Sequence, residues 1–195
     1  MEKYSKNVCE LKYEFVKTYK GNSHTTEILP NMPTDSFLIN EKQLSLLHKF
    51  LNVNPIYSTH ISQKISDIEY TISEGDLNNY WIDSIKHDAS YAPFYPTWML
   101  SAWGLALAAK NFGFNKIIDI GSGDGRIAYC GKVLGLDTLS IEIDENLVNL
   151  QENLSEKTDV KFNPICSDAT VFNFEDVASK KAIFVIGGVP EIGEI

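Results

Sequence analysis

The chain has 195 residues, 44% of them hydrophobic, enough to bury a sizeable core as one domain plus an extension. No apolar run reaches the ~18 residues of a membrane span and no signal-peptide pattern opens the chain, so a cytoplasmic location is the expectation. A net charge of −9 argues against a broad nucleic-acid or anionic-membrane surface, and neither Cys9, Cys130 and Cys166 nor His24, His48, His60 and His87 has metal-ligand spacing.

Residues 1–90 read as an N-terminal extension, mainly helical. Residues 1–36 mix charge, tyrosine, Pro30 and Pro33, which suits an irregular arm with one short strand over 13–19. Asn40 with Gln43 three residues on has the form of a capping box, and Leu44, Leu47, His48 and Leu51 fall on one helical stripe. Further helices are predicted over 57–70 and 77–86.

The most informative stretch is Ile117-Ile118-Asp119-Ile120-Gly121-Ser122-Gly123-Asp124-Gly125-Arg126. An apolar run ending in an acid suits a parallel strand buried on both faces, and alternating glycines let backbone N–H groups approach a ligand without a Cβ in the way. A helix over 127–134 follows, with Gly135 as a left-handed cap, then a second strand over 138–143. Glu142 lies at that strand's carboxyl end, about 20 residues past the glycines, where doubly wound sheets place a ribose-binding acid. A helix over 146–154, a third strand over 160–165, Asp168-Ala169 and a fourth strand over 182–186 complete the pattern.

The charges select among adenosine ligands. The dinucleotide fingerprint requires glycine at the position of Arg126, and Asp124 would oppose a pyrophosphate at the helix N-terminus. S-adenosylmethionine carries a sulfonium and an ammonium, for which Asp119 and Asp124 are attractive partners. Asp168 could accept from the adenine amino group while the Ala169 N–H meets a ring nitrogen.

The Asp119 to Gly125 loop, Glu142 and Asp168-Ala169, in this order and spacing, resemble the class I S-adenosylmethionine-dependent methyltransferases over residues 91–195. The resemblance implies an α/β fold, a Rossmann-like doubly wound parallel sheet, with the cofactor held by Asp119, Gly121, Ser122, Gly123, Asp124, Gly125, Glu142, Asp168 and Ala169. Tyr91-Ala92-Pro93-Phe94-Tyr95-Pro96-Thr97 is similar to the segment of archaeal protein-lysine methyltransferases that crosses the methionine end of the cofactor, which adds Thr97 and a protein lysine as acceptor. A small-molecule acceptor is the alternative, and no catalytic residue is assigned. Two departures stand out. The family's sheet continues beyond the fourth strand, so the expectation is a fragment of a longer protein, or a strand at 182–186 covered by a partner or by the N-terminal region. Gly187-Gly188-Val189-Pro190 replaces the Asn/Asp-Pro-Pro-aromatic motif of enzymes that methylate bases and glutamine.

Competing readings are a regulatory or scaffold protein that binds the cofactor without transfer, and a nicotinamide-dependent oxidoreductase. Residue by residue, Glu142 could be a solvated strand-end acid, Asp168 a helix cap, and Arg126 a structural ion-pair partner. Tyr91, Phe94, Tyr95, Trp98 and Trp103 read as core or interface before they read as a substrate cage.

Overall fold

The computed structural model describes residues 1–80, 94–175, 177 and 181–186. The chain opens with helix α1 (Glu2–Thr18), which buries Tyr4, Val8, Leu11 and Phe15. Their spacing is one helical stripe, so packing on that stripe wins over the local mixture of charge and tyrosine, and the irregular arm with a strand over 13–19 is replaced by helix. Strand β1 (Thr25–Pro30) follows, then helix α2 (Glu41–Val53). The capping box forms as expected, the Asn40 side chain accepting from the Gln43 N–H and the Gln43 side chain from the Asn40 N–H.

The helix expected over 57–70 is instead a hairpin of β2 (Tyr57–Ile65) and β3 (Ile68–Gly75). Ser66 and Asp67, both at positive φ (45° and 69°), make the two-residue turn whose backbone twist matches the flanking strands. β3 also pairs antiparallel with β1, giving a three-stranded sheet in the order β1-β3-β2. The extension thus carries its helices beside a sheet where only helices were expected. The helix expected over 77–86 lies mostly outside the described residues.

Helix α3 (Met99–Asn111) buries residues around most of its circumference, among them Leu100, Trp103 and Ala106. It packs against α1 at Gly104, where a Cβ would sit 2.5 Å from the Tyr4 ring. Then come β4 (Lys116–Ile120), α4 (Arg126–Val133), β5 (Asp137–Glu142), α5 (Glu145–Thr158), β6 (Asn163–Cys166) and β7 (Ala182–Ile186). After α4 the Gly135 N–H donates to Lys132 O and the Leu136 N–H to Gly131 O, with Gly135 at φ 81°, the paired bonds of a left-handed helix cap.

These last four strands form one parallel sheet in the order β6-β5-β4-β7, a Rossmann-like doubly wound arrangement as expected. The chain moves outward from β4 through β5 to β6 and returns to the other side of β4 with β7. The strand order therefore reverses at the carboxyl end of β4, where such sheets leave a crevice for a ligand.

The N-terminal region covers this sheet closely. Tyr129 of α4 packs its ring 4.7 Å from that of Phe50 and donates from its hydroxyl to Leu46 O, while Lys49 Nζ donates to Thr158 O at the end of α5. A continuous buried cluster runs from Tyr4 and Phe15 through Leu47, Phe50 and Trp103 to Tyr129 and Phe162.

Candidate functional site

The loop between β4 and α4 holds Gly121, Gly123 and Gly125 at φ 66°, 56° and 77°, values that a Cβ strains. Its backbone is tied to β5: the Gly121 and Ser122 N–H groups donate to Ile141 O at 2.9 and 3.2 Å. From behind, the fully buried Gln151 of α5 donates through Nε2 to Ser122 Oγ (2.9 Å) and Gly123 O (2.8 Å).

The glycines answer to the protein's own packing. A Cβ on Gly123 would lie 2.5 Å from Phe94 Cε2, and one on Gly125 would lie 2.6 Å from Phe162 Cε2 and 2.8 Å from Gln151 Oε1. Phe94 is in turn edge-on to Tyr80, with ring centroids 6.4 Å apart. These Cβ directions, expected to face a ligand, are occupied by aromatic rings and an amide.

Asp119, the last acid of β4, is fully buried, and neither of its carboxylate oxygens meets a hydrogen-bond donor in good geometry among the described residues. Burial raises its pKa well above the usual carboxylate range, with Glu142 and Asp124 adding to the effect and the Ala128 N–H offsetting part of it. Glu142, at the end of β5, is also buried. Its Oε2 accepts from the Gly123 N–H at 2.8 Å, and its Oε1 from the Ile143 and Asp144 N–H groups at 2.9 and 3.1 Å. Burial still leaves its pKa raised. Asp144 caps α5 through Oδ1, and its buried Oδ2 has no hydrogen-bond partner among the described residues.

Asp124 has a different place from the one its sequence position suggested. Its carboxylate accepts from Arg126 Nε at 2.8 Å, from Arg126 Nη2 at 2.6 Å and from Asn54 Nδ2 at 3.0 Å. Its charge is therefore engaged within the protein. Arg126 is buried too, and its ion pairs to Glu27 and Asp124 give it the structural role weighed above. Thr97 joins the same group through its carbonyl, which accepts from Arg126 Nη1 at 2.6 Å.

Asp168 follows β6, whose exit is fixed by a Ser167 N–H bond to Glu142 O. Its Oδ1 accepts from the Thr170 N–H and hydroxyl, which lowers its pKa and closes a turn. Ala169 packs partly buried near Ile118, Leu139 and Ile141. The carboxyl ends of three adjacent strands thus carry Asp119 with the glycine loop, Glu142, and Asp168-Ala169. Of the aromatic group, Trp103 is core, Trp98 lies under Lys12 Nζ, and Tyr95 is exposed. Tyr91 and residues 187–190 lie outside the described residues.

Sequence reasoning missed Glu27, Asn54, Tyr57 and Gln151. Glu27 carried one faint signal, a lone acid beside Ile28 and Leu29 in an apolar strand.

No family model matches the chain, and no curated protein matches it. Solved structures that resemble it include a protein provisionally described as an RNA methyltransferase from Pyrococcus horikoshii, at 21% identity over 57% of this chain and 59% of that one, TM-score 0.41. An O-methyltransferase from Bacillus cereus in complex with SAH is 16% identical over 69% of this chain and 44% of that one, TM-score 0.37. A tRNA (uracil-54, C5)-methyltransferase from Pyrococcus abyssi is 17% identical over 57% of this chain and 24% of that one, TM-score 0.33. The chain spans less than two thirds of each.

Proposed function

We propose that the chain binds S-adenosylmethionine at the carboxyl ends of β4, β5 and β6 and transfers its methyl group to an acceptor, a protein lysine being our first candidate and a small molecule the second. The observation that carries this reading is Asp119: a fully buried carboxylate at the reversal point of the sheet, neither oxygen of which meets a hydrogen-bond donor in good geometry among the described residues. A buried acid without a donor is costly, and a cationic, hydrogen-bonding ligand group would offset that cost where a pyrophosphate would add to it. With the Asp124 charge held by Arg126, the preference for a cation rests on Asp119.

The rest of the donor set fits the same group. The glycine loop, its Gly121, Ser122 and Gly123 N–H groups already held by β5, would border the methionyl part, with Thr97 on the neighbouring strap, the described residues 94–98 before α3. Glu142 accepts three bonds and a carboxylate has about four lone-pair sites, which leaves one on Oε2 for a ribose hydroxyl. Asp168 Oδ2 and the Ala169 N–H suit an adenine edge. When bound, the cofactor supplies a methyl group already activated by its sulfonium. The chain's task is then orientation, which is worth about 7–11 kcal/mol in the best intramolecular cases. The free thiols of Cys9, Cys130 and Cys166 suit a reducing compartment, and we place the activity in the cytoplasm.

Calorimetry with S-adenosylhomocysteine, with NADH as the competing ligand, tests the binding step. Micromolar affinity for the first alone supports the reading, and no binding by a folded sample overturns it. Transfer of labelled methyl to cell protein or to a small-molecule fraction then separates an enzyme from a binding protein and names the acceptor class.

A further inference from the structure

Arg126 is the first residue of α4, directly after the glycine loop, and all five of its guanidinium N–H groups are used. Nε donates to Asp124 Oδ1, Nη2 to Asp124 Oδ2 and Tyr57 Oη, and Nη1 to Glu27 Oε1 and Thr97 O. The partners come from four separate stretches of chain: the loop, β1, β2 and the strap before α3. Two of them reach further, because Glu27 Oε2 accepts from the Met99 N–H at 2.8 Å and Asp124 Oδ2 from Asn54 at the end of α2. Glu27 and Arg126 are 1% and 2% exposed, and Tyr57 is buried, so water does not compete for these bonds. A planar fork saturated in this way has one geometry, and moving any partner leaves a buried donor unmet.

We propose that Glu27 and Arg126 are positioning residues that lock the glycine loop to the Thr97 strap, so that the antiparallel N-terminal sheet sets the shape of the cofactor site without touching the cofactor. The link to a cofactor rests on the function proposed above, whereas the lock itself does not. A salt bridge serving stability alone would lower the global unfolding free energy when removed and leave the local opening of the loop in the native state unchanged. A positioning lock changes that opening first.

The experiment compares the full unliganded chain with its Glu27→Gln and Tyr57→Phe variants by native-state amide hydrogen exchange. Residues 121–126 and Met99 are the reporters and β5 is the internal reference. Losing one bond to the buried guanidinium should speed exchange of the reporters relative to β5 by about tenfold or more in Glu27→Gln, and by less in Tyr57→Phe. In the same samples S-adenosylhomocysteine affinity should fall in the same order. If Glu27→Gln does not fold, Tyr57→Phe alone decides. Reporter exchange at the wild-type rate in a folded variant overturns the lock. Faster reporter exchange in the variants, with a wild-type chain that itself binds no S-adenosylhomocysteine, upholds the lock and overturns the cofactor reading instead.

Discussion

The Gly123 amide, held at a φ that favours glycine, donates to Glu142 Oε2 at 2.8 Å and so joins the loop after β4 to the carboxyl end of β5. Two features read separately from the sequence, the glycine run and the downstream acid, are one hydrogen-bonded unit.

Gly123→Val should be damaging twice over. The backbone there sits at φ 56° and a Cβ would meet Phe94 at 2.5 Å, so strain alone should cost about 1–3 kcal/mol before the ring is displaced. The variant is expected to melt at lower temperature and to bind S-adenosylhomocysteine at least tenfold more weakly. A folded variant with wild-type affinity would remove the loop from the binding site.

Asp119→Asn should separate stability from function. Taking an ionisable group out of a buried site with no well-formed hydrogen bond among the described residues should leave the unliganded fold as stable or more so, by about 1 kcal/mol. Affinity for S-adenosylhomocysteine should fall by about tenfold, the effect of one lost charge-assisted bond. Chemical denaturation and calorimetry on one sample read both; reduced stability with unchanged affinity would refute the assignment.

Glu27 makes stability depend on pH. It and Asp124 share one guanidinium, and burial pushes Glu27 up to about 7 from an ordinary 4.5. An acid whose pKa is raised by folding favours the folded state while it holds its proton. That contribution is complete below 4.5 and is lost as pH rises through 7. Asp119 and Glu142 are shifted the same way and add slope of the same sign. Unfolding free energies measured across this window should decline toward neutral pH in the wild type, by roughly 2–3 kcal/mol from Glu27, and decline less in Glu27→Gln. Parallel curves would show that Glu27 keeps its charge in the folded chain throughout.

Gln151→Met preserves volume but strands the Ser122 hydroxyl and the Gly123 carbonyl that Gln151 serves. The expected cost is about 1–3 kcal/mol, read by denaturant unfolding. A neutral outcome would mean that these groups find other partners.

The parallel half of the chain was legible because its signals are local. Ile117 and Ile118 are apolar because the strand is covered on both faces, and glycine is needed where φ turns positive. The α1 stripe of Tyr4, Val8, Leu11 and Phe15 was equally present and was outweighed by the charge around it. Strand β2 carried a signal that went unused: Tyr57, Thr59, Ile61 and Ile65 alternate with Ser58, His60, Ser62 and Lys64, although Gln63 interrupts the apolar parity and only the two ends are buried. The partners of Arg126 were out of reach for another reason. Glu27 is 99 positions away, and nothing local says that a glutamate in β1 is buried.

The buried cluster that runs unbroken from Tyr4 to Phe162 has a thermodynamic consequence. A second cluster around Ile118, Leu139 and Ile141 belongs to the parallel sheet alone, but the first joins that sheet to the N-terminal one, so that unfolding either exposes apolar surface on the other. Heat or denaturant should therefore take the antiparallel and parallel sheets apart in a single cooperative transition, with the same midpoint whether Trp98 near α1 or the exchange of β5 amides reports it.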